Sequence, residues 1–399
     1  MKSGKWKDES GKMQWLADWF EKIEPKGKWS WLGSTYEAFH TFAFTPKTVT
    51  KSGSHIRDAV DMKRSIIIVV IALIPALLFG MWNIGYQHFL GVEGQTFDHT
   101  ILECWWFGFL RMLPMIAVSY IVGLGIEFAF AQYRGHEVNE GFLATGLLIP
   151  MIVPVTTPLW QLALAVAFAV IIGKEVFGGS GMNFLNPALV ARAFLFFAYP
   201  THMSGDKVWI AADLWGSDAI AGATPMGELA AGMNPSASTL DMLIGTIPGS
   251  TCETSVIAIA LGAILLLFTG IASWRIMLSV FLGGGAMGLL FNAIGANAYM
   301  ELPFYYHFLM GGFAFGAVFM ATDPVTAAQT NCGKWIYGLL IGAFAVLLRV
   351  CNPAYPEGMM LSILFMNCMA PLIDHCVVAR NIKRRGKRVA TLGKEVRNG

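Results

Sequence analysis

The chain has 399 residues, of which 14% are charged and 55% hydrophobic, with a formal net charge of +2. Soluble domains carry about 25% charged residues, so this composition excludes an ordinary soluble enzyme, and the near-neutral balance gives no electrostatic ground for nucleic-acid binding. The hydropathy pattern predicts an all-α polytopic membrane protein with about ten transmembrane helices rather than two or three soluble domains.

The first sixty-two residues are polar and aromatic and lack the apolar core of a cleavable signal peptide, so the first span serves as the membrane signal. Within them, MQWLADWFEKIE places Trp15, Leu16, Trp19, Phe20 and Ile23 on one helical face. That face suits a helix lying on the membrane surface or one docking a partner subunit. Candidate spans follow at 65–86, 104–131, 142–155, 159–177, 185–199, 255–272, 276–296, 304–320, 336–350 and 359–379. Pro and Gly interrupt several, and the third and fifth are expected to be half-spans. The division is 1–62 as a cytoplasmic segment, 63–200 as a first five-helix repeat, 201–254 as a periplasmic loop, 255–379 as a second repeat and 380–399 as a basic cytoplasmic tail.

Lys and Arg set the orientation. Arg57, Lys63 and Arg64 precede the first span, and Arg380, Lys383, Arg384, Arg385, Lys387 and Arg388 follow the last, so both ends are expected inside. Arg134, Arg275 and Lys334 then fall in inner loops. The segment 201–254 holds one base, Lys207, against Asp206, Asp213, Asp218, Glu228, Asp241 and Glu253, and is expected outside. Arg111 and Arg349 are exceptions near outer ends, paired or functional.

Two short motifs recur. PVTTP begins at Pro154 and NPA at Asn186; DPVTAA begins at Asp323 and NPA returns at Asn352, at similar spacing. Short motifs also recur by chance. An odd number of spans per half would invert the second copy, and inverted repeats bring broken helices together near the midplane.

Several residues invite chemistry. The six cysteines show no CxxC or Cys/His ligand spacing; they read as small apolar residues, and one or two would bind a metal only with help from another chain. In DAIAGATPM, Thr224 offers a hydroxyl flanked by Gly222, Ala223 and Pro225, as an enzyme forming a phosphoester or glycoside requires; otherwise the stretch is a loop. In VGLGIEF, Gly123 and Gly125 allow close approach of a flat ring or a helix. Glu127 is a carboxylate within a span, a costly and usually functional placement, or an interface residue near Arg134. Asp323 and Asp374, at span ends, could concentrate a hard cation such as Na+ or cap helices. Asn183 and Asn186 offer amides or a helix cap. Arg192 and Arg349 could neutralise an anionic group or pair with carboxylates, and Lys174–Glu175 reads as a local pair.

HEVNEGFLATG, KEVFGGSGMNFLNPALVARAFLFFAYP, SGDKVW, GIASWRI, GGFAFGAVFMATDPV, GKWIYG, NPAYPEGMM and RNIKRR resemble the B subunits of the sodium-translocating NADH:quinone reductases, from roughly Phe44 to Arg385. The homologous D subunits of Rnf complexes are the alternative. Asp218-x-x-Ala221-Gly222-Ala223-Thr224 also resembles the recognition sequence of the transferase that attaches FMN to threonine, with Ala221 where that pattern has Ser or Thr. The resemblance implies FMN on Thr224, with Asp218, Gly222 and Ala223 as recognition residues. It also implies a noncovalent riboflavin near Asn183 and Asn186, bordered by Phe194 and Phe196; these two aromatics could equally face quinone, lipid or core. It implies a ubiquinone site near Gly123, Gly125 and Glu127, and Na+ uptake through Asp323, Asp374 and Glu127. Electrons would run from FMN to riboflavin to ubiquinone, coupled to Na+ export across a bacterial inner membrane. Five other subunits (A, C, D, E and F), ubiquinone, the flavin transferase and the lipid bilayer are the implied partners. A flavin-free channel or carrier, and a scaffold for other subunits, are the competing readings.

Overall fold

In the computed structural model, residues 22, 50, 52–54, 62–93, 98–134, 141–211, 219–220, 222–352 and 358–398 are described. The predicted surface helix around Trp15, as well as Asp218 and Ala221, lies outside them. The described residues form helices joined by short connections: α1 (Met62–Glu93), α2 (Ile101–Arg134), α3 (Phe142–Ile152), α4 (Leu159–Gly173), α5 (Pro187–Ala198), α6 (Pro225–Ala230), α7 (Thr239–Ile244), α8 (Val256–Phe268), α9 (Trp274–Ile294), α10 (Ala298–Glu301), α11 (Tyr306–Leu309), α12 (Phe313–Phe315), α13 (Asn331–Cys351) and α14 (Gly358–Asn398). The π turn Gly316–Met320 continues α12. Ile210–Ala211 (β1) pairs antiparallel with Ala219–Ile220 (β2).

Among the described residues, six stretches are long and apolar enough to cross a membrane: Arg64–Val92, Ile101–Arg134, Leu159–Phe177, Trp274–Ile294, Asn331–Cys351 and Gly358–Arg388. Phe142–Ile152, Pro187–Ala198 and Val256–Phe268 are apolar but shorter. With the α12 segment, these are the ten expected pieces, and the third and fifth are short as expected. The differences are local. The predicted 304–320 span is divided among α11, α12 and the π turn, because Pro303 and the Gly311–Gly312 pair interrupt the helix. The last span does not end before the basic tail: α14 runs on to Asn398. The described part of 201–254 is also structured, with the antiparallel β1–β2 pair, α6 and α7.

The halves repeat one order. α1 to α5 correspond to α8, α9, α12, α13 and α14, and in each half a broken helix leads into a PVT turn. Counterparts meet across the halves, α1 on α8 and α5 on α14. α1 and α8 run antiparallel: a Cβ added at Gly80 would meet Thr251 and Cys252, just before α8 begins, whereas one added at Gly262, within α8, would meet Ala72 O. The second half is therefore inverted relative to the first. Arg275 on α9 bonds Asn331 at the start of α13 (2.9 Å). This inverted arrangement places Arg134, Arg275, Lys334 and the basic end of α14 on one face of the molecule, with the 201–254 segment on the other.

Helix contacts rely on small residues, as expected where no hydrophobic effect drives association in lipid. A Cβ at Gly283 would lie 2.0 Å from Leu339 O, and one at Gly342 1.9 Å from Val280 O, so the α9 and α13 backbones touch. Large apolar side chains such as Ile71, Leu78, Ile121, Leu261 and Phe268 point outwards, as lipid requires. Gly342→Val should separate α9 from α13. We expect the folded chain to be lost from membranes or its melting point to fall by several degrees, measured by tryptophan fluorescence of the solubilised complex, with Gly386→Ala, where an added Cβ meets open space, as the silent control.

Candidate functional site

A polar segment, 247–255, ties the two halves together beside Thr224. The end of α3 leaves carbonyls that no bilayer can satisfy. Thr251 Oγ1 donates to Pro150 O (2.6 Å) and Val153 O (3.2 Å), and the Cys252 N–H donates to Met151 O (3.0 Å). Asn83 of α1 donates to Ile247 O (3.1 Å) and Thr254 Oγ1 (3.4 Å), and Ser255 caps α8. Burial pushes the Cys252 thiol up, so it stays protonated and unreactive. Arg192 of α5 donates through Nη1 to both Glu253 oxygens (2.9 and 3.0 Å) and through Nη2 to Ser250 Oγ (3.2 Å). Sequence reasoning singled out Arg192 but counted Glu253 only for its charge. The run of hydroxyls in GSTCETS, directly before a span, was the available signal.

Thr224 sits against this segment. It shares a cavity of about 40 Å³ with Trp209, Met226, Pro248, Ser250 and Glu253. It is half-buried and caps α6: its Oγ1 accepts from the Gly227 N–H (3.0 Å), with Pro225 at the first helical position. Gly222 donates to Asp206 O (2.8 Å), and a Cβ there would lie 2.3 Å from Ile210 Cδ1, so the glycine lets the chain pass β1. Tyr299 Oη donates to Met226 O (2.7 Å). Burial pushes this phenol up to about 12, so it remains a donor at any physiological pH.

The opposite face carries a second charged cluster. Lys174 and Glu175 do not pair with each other as the sequence suggested. Lys174 ends α4 and its Nζ donates to Glu127 Oε1 on α2. Arg134 donates to Glu175 Oε2 (3.0 Å) and Glu175 O (2.7 Å). The reason is geometric. α2 and α4 end side by side, so their terminal charges meet across the interface, while successive residues leaving a helix point apart. Gly123 lies one turn before Glu127 on the same buried face, against the Phe142 ring; Gly125 faces away and is exposed. The structure therefore brings together Gly123 and Glu127 but not Gly125.

The remaining candidates have structural duties. Asn186 Oδ1 caps α5 by accepting from Ala188 N–H (3.0 Å), and Asn183 Nδ2 donates to Leu185 O (3.0 Å). Phe194 stacks on Phe168 and lines an apolar groove of about 900 Å³ between α5 and the α13–α14 pair; Phe196 instead meets Phe197 edge-on. Asp323 accepts from Val325 N–H (3.2 Å) and Thr326 Oγ1 (2.9 Å). Asp374 accepts from the N–H groups of Gln329 (2.7 Å) and Thr330 (3.0 Å). One loop, 323–330, thus joins both aspartates. Arg349, fully buried, donates to His307 O and Met310 O beside the other broken helix.

Residues 49–383 match the NQR2, RnfD, RnfE family model. The chain belongs to this family. It is 50% identical over 390 residues to the B subunit of the Na(+)-translocating NADH-quinone reductase of Ectopseudomonas mendocina, covering 91% of this chain and 96% of that protein. It is 49% identical over 391 residues to the protein of the same name from Stutzerimonas stutzeri, covering 91% and 96%. For that of Chromohalobacter salexigens the identity is 48% over 400 residues, covering 94% and 97%. The resemblance read from the motifs is therefore borne out over nearly the whole chain.

The Arg192–Glu253 pair makes a measurable claim within this family's fold. Removing one member of a buried pair costs about 3–5 kcal/mol, whereas replacing both by apolar groups is often neutral. Arg192→Met should lower the melting temperature of the solubilised complex strongly, and Arg192→Met with Glu253→Leu should recover most of the loss. A double variant as unstable as the single one would mean that the pair does more than neutralise charge.

Proposed function

We propose that this chain is the B subunit of a sodium-translocating NADH:quinone reductase of the bacterial inner membrane, carrying FMN on Thr224. The observation that carries this reading is the Thr224 site in a chain of this family. Its hydroxyl is half-buried and framed by Gly222, Ala223 and Pro225. It also lies on the face opposite the basic helix ends, which the positive-inside rule makes cytoplasmic. That rule puts both termini inside and the threonine in the periplasm, where a flavin transferase can reach it. Asp218, Gly222 and Ala223 serve as its recognition residues.

The local structure suits a phosphoester. The cap of α6 uses Thr224 Oγ1 as an acceptor, so losing the hydroxyl proton on esterification leaves the Gly227 N–H its partner. The adjoining cavity of about 40 Å³ has room for a few waters but not for a three-ring flavin. A ring attached here lies on the outer surface, open to a neighbouring subunit.

When bound, the flavins supply one-electron transfer from FMN to riboflavin and on to ubiquinone. The chain's own residues fix positions. Asn183 and Asn186 present amides for riboflavin, and Phe194 and Phe196 of α5 stand beside it. Gly123 and Glu127 border the quinone; Gly125, on the other face, is left out of this assignment. Asp323, Asp374 and Glu127 serve Na+ uptake from the cytoplasmic side. The A, C, D, E and F subunits complete the complex, and the names of the relatives favour this assembly over an Rnf complex.

Thr224→Ala tests the site. Loss of the cap oxygen costs only about 1 kcal/mol, so the chain should still assemble. The peptide containing residue 224 should lose the mass of FMN less water, and the denatured band its flavin fluorescence. Thr224→Ser should keep part of both. A flavin retained by Thr224→Ala places the attachment elsewhere.

A further inference from the structure

Lys174 has no task in the flavin and sodium assignments, yet it is deeply buried. Its side chain is 6% exposed, and its partner Glu127 is 3% exposed. Beside them, Glu175 is 9% and Arg134 28% exposed. The four charges form a row that opens at Arg134 and ends at Glu127. They sum to zero, two acids against two bases. A single monovalent cation reaching the Glu127 carboxylate would leave this buried cluster with an excess positive charge, unless one of its own cations withdrew. Arg134 is engaged twice by Glu175. Lys174 holds Glu127 by one ammonium on a flexible four-carbon stem, the most easily withdrawn cation of the row. An ammonium and Na+ are both compact monovalent cations seeking the same oxygens.

We propose that Lys174 is a tethered cation that occupies the Glu127 carboxylate when no Na+ is bound, and that it must leave for Na+ to enter. The inference rests on the reading of Glu127 as a station in Na+ uptake. Exchange keeps the buried cluster neutral and makes entry a displacement. It also gives the site a threshold: Na+ competes with a ligand of fixed, high local concentration. Lys174 is thus a positioning residue for the cation, with no contact to the redox groups required.

The test uses the whole purified complex. Two quantities are read: the Na+ concentration giving half-maximal quinone reduction, and retention of radiolabelled sodium without turnover. In Lys174→Met the competitor is gone, and both should shift to tighter Na+ by ~10-fold or more, the worth of one charged hydrogen bond. In Lys174→Arg a guanidinium can grip both carboxylate oxygens, and both should shift to weaker Na+. Opposite signs at one position are not produced by a merely structural role. Glu127→Gln separates the two claims. If it weakens Na+ retention while the Lys174 variants move together or not at all, the displacement idea is wrong and Glu127 stands. If it leaves retention unchanged, Glu127 is not a station and the inference falls with it. Should Lys174→Met fail to assemble, the direction of the Lys174→Arg shift decides alone: unchanged or tighter Na+ overturns the proposal.

Discussion

A helix that stops inside a bilayer exposes carbonyls to a medium that cannot solvate them, and each must find a partner within the protein. The end of α3 is such a place, and the answer comes from 98 to 101 residues away in the chain, from Thr251. Once Thr251 and Cys252 are pinned to Pro150, Met151 and Val153, their neighbours have little freedom. Ser250 and Glu253 must face α5, where Arg192 meets both, and Ile247 and Thr254 must face Asn83. Thr224 packs on the outer side of the same segment. The geometry of the candidate flavin site is thus a consequence of capping a broken helix, and the same few bonds add to the packing of α1 on α8 and α5 on α14 that joins the halves.

The other broken helix solves its problem differently. Around α11 and α12 the carbonyls of His307 and Met310 are taken by Arg349, which projects from the last turn of α13. A buried guanidinium does here what hydroxyls and backbone N–H groups do at α3. Its charge favours the C-terminal end of its own helix. On the opposite face, Asp374 of α14 collects the N–H groups that precede α13, and Thr330 completes the cap by accepting from Gly333 (3.1 Å). Two carboxylates proposed to greet Na+ are therefore also structural, and substituting them acts on the loop 323–330 as well as on any cation.

Much of this architecture was legible in the sequence, because hydropathy and Pro/Gly breaks report directly on helices in lipid. The ten apolar pieces, the shortness of the third and fifth, and the PVT turn after the broken helix of each half all correspond to elements in the structure; of the second NPA only Asn352 is among the described residues, and it ends α13 rather than capping α14. Capping residues were legible too, since Asn186 before Pro187 has a local signature. Pairings between distant segments had none. Lys174 and Glu175 are adjacent and opposite in charge, so a local pair was the economical reading; their true partners lie 47 and 41 residues away. Arg192 and Glu253 are 61 residues apart, and no periodicity links them. The capping role of Thr224 escaped because a six-residue helix is too short to show an apolar face.

The inverted repeat sharpens the contrast between two buried cations. Lys174 and Arg349 stand at the C-terminal ends of counterpart helices, α4 and α13, where the helix dipole favours positive charge. Inversion places them on opposite faces. Arg349 reaches backbone carbonyls, which are neutral, fixed and part of the fold; withdrawing it would strip a broken helix of its partners. Lys174 reaches a carboxylate, whose need is for charge rather than for a particular donor, so another cation can take its place without unmaking a helix end. The C-terminal ends of two counterpart helices thus hold a permanent cap in one half and an exchangeable counter-ion in the other. It is the partner, not the base, that decides which.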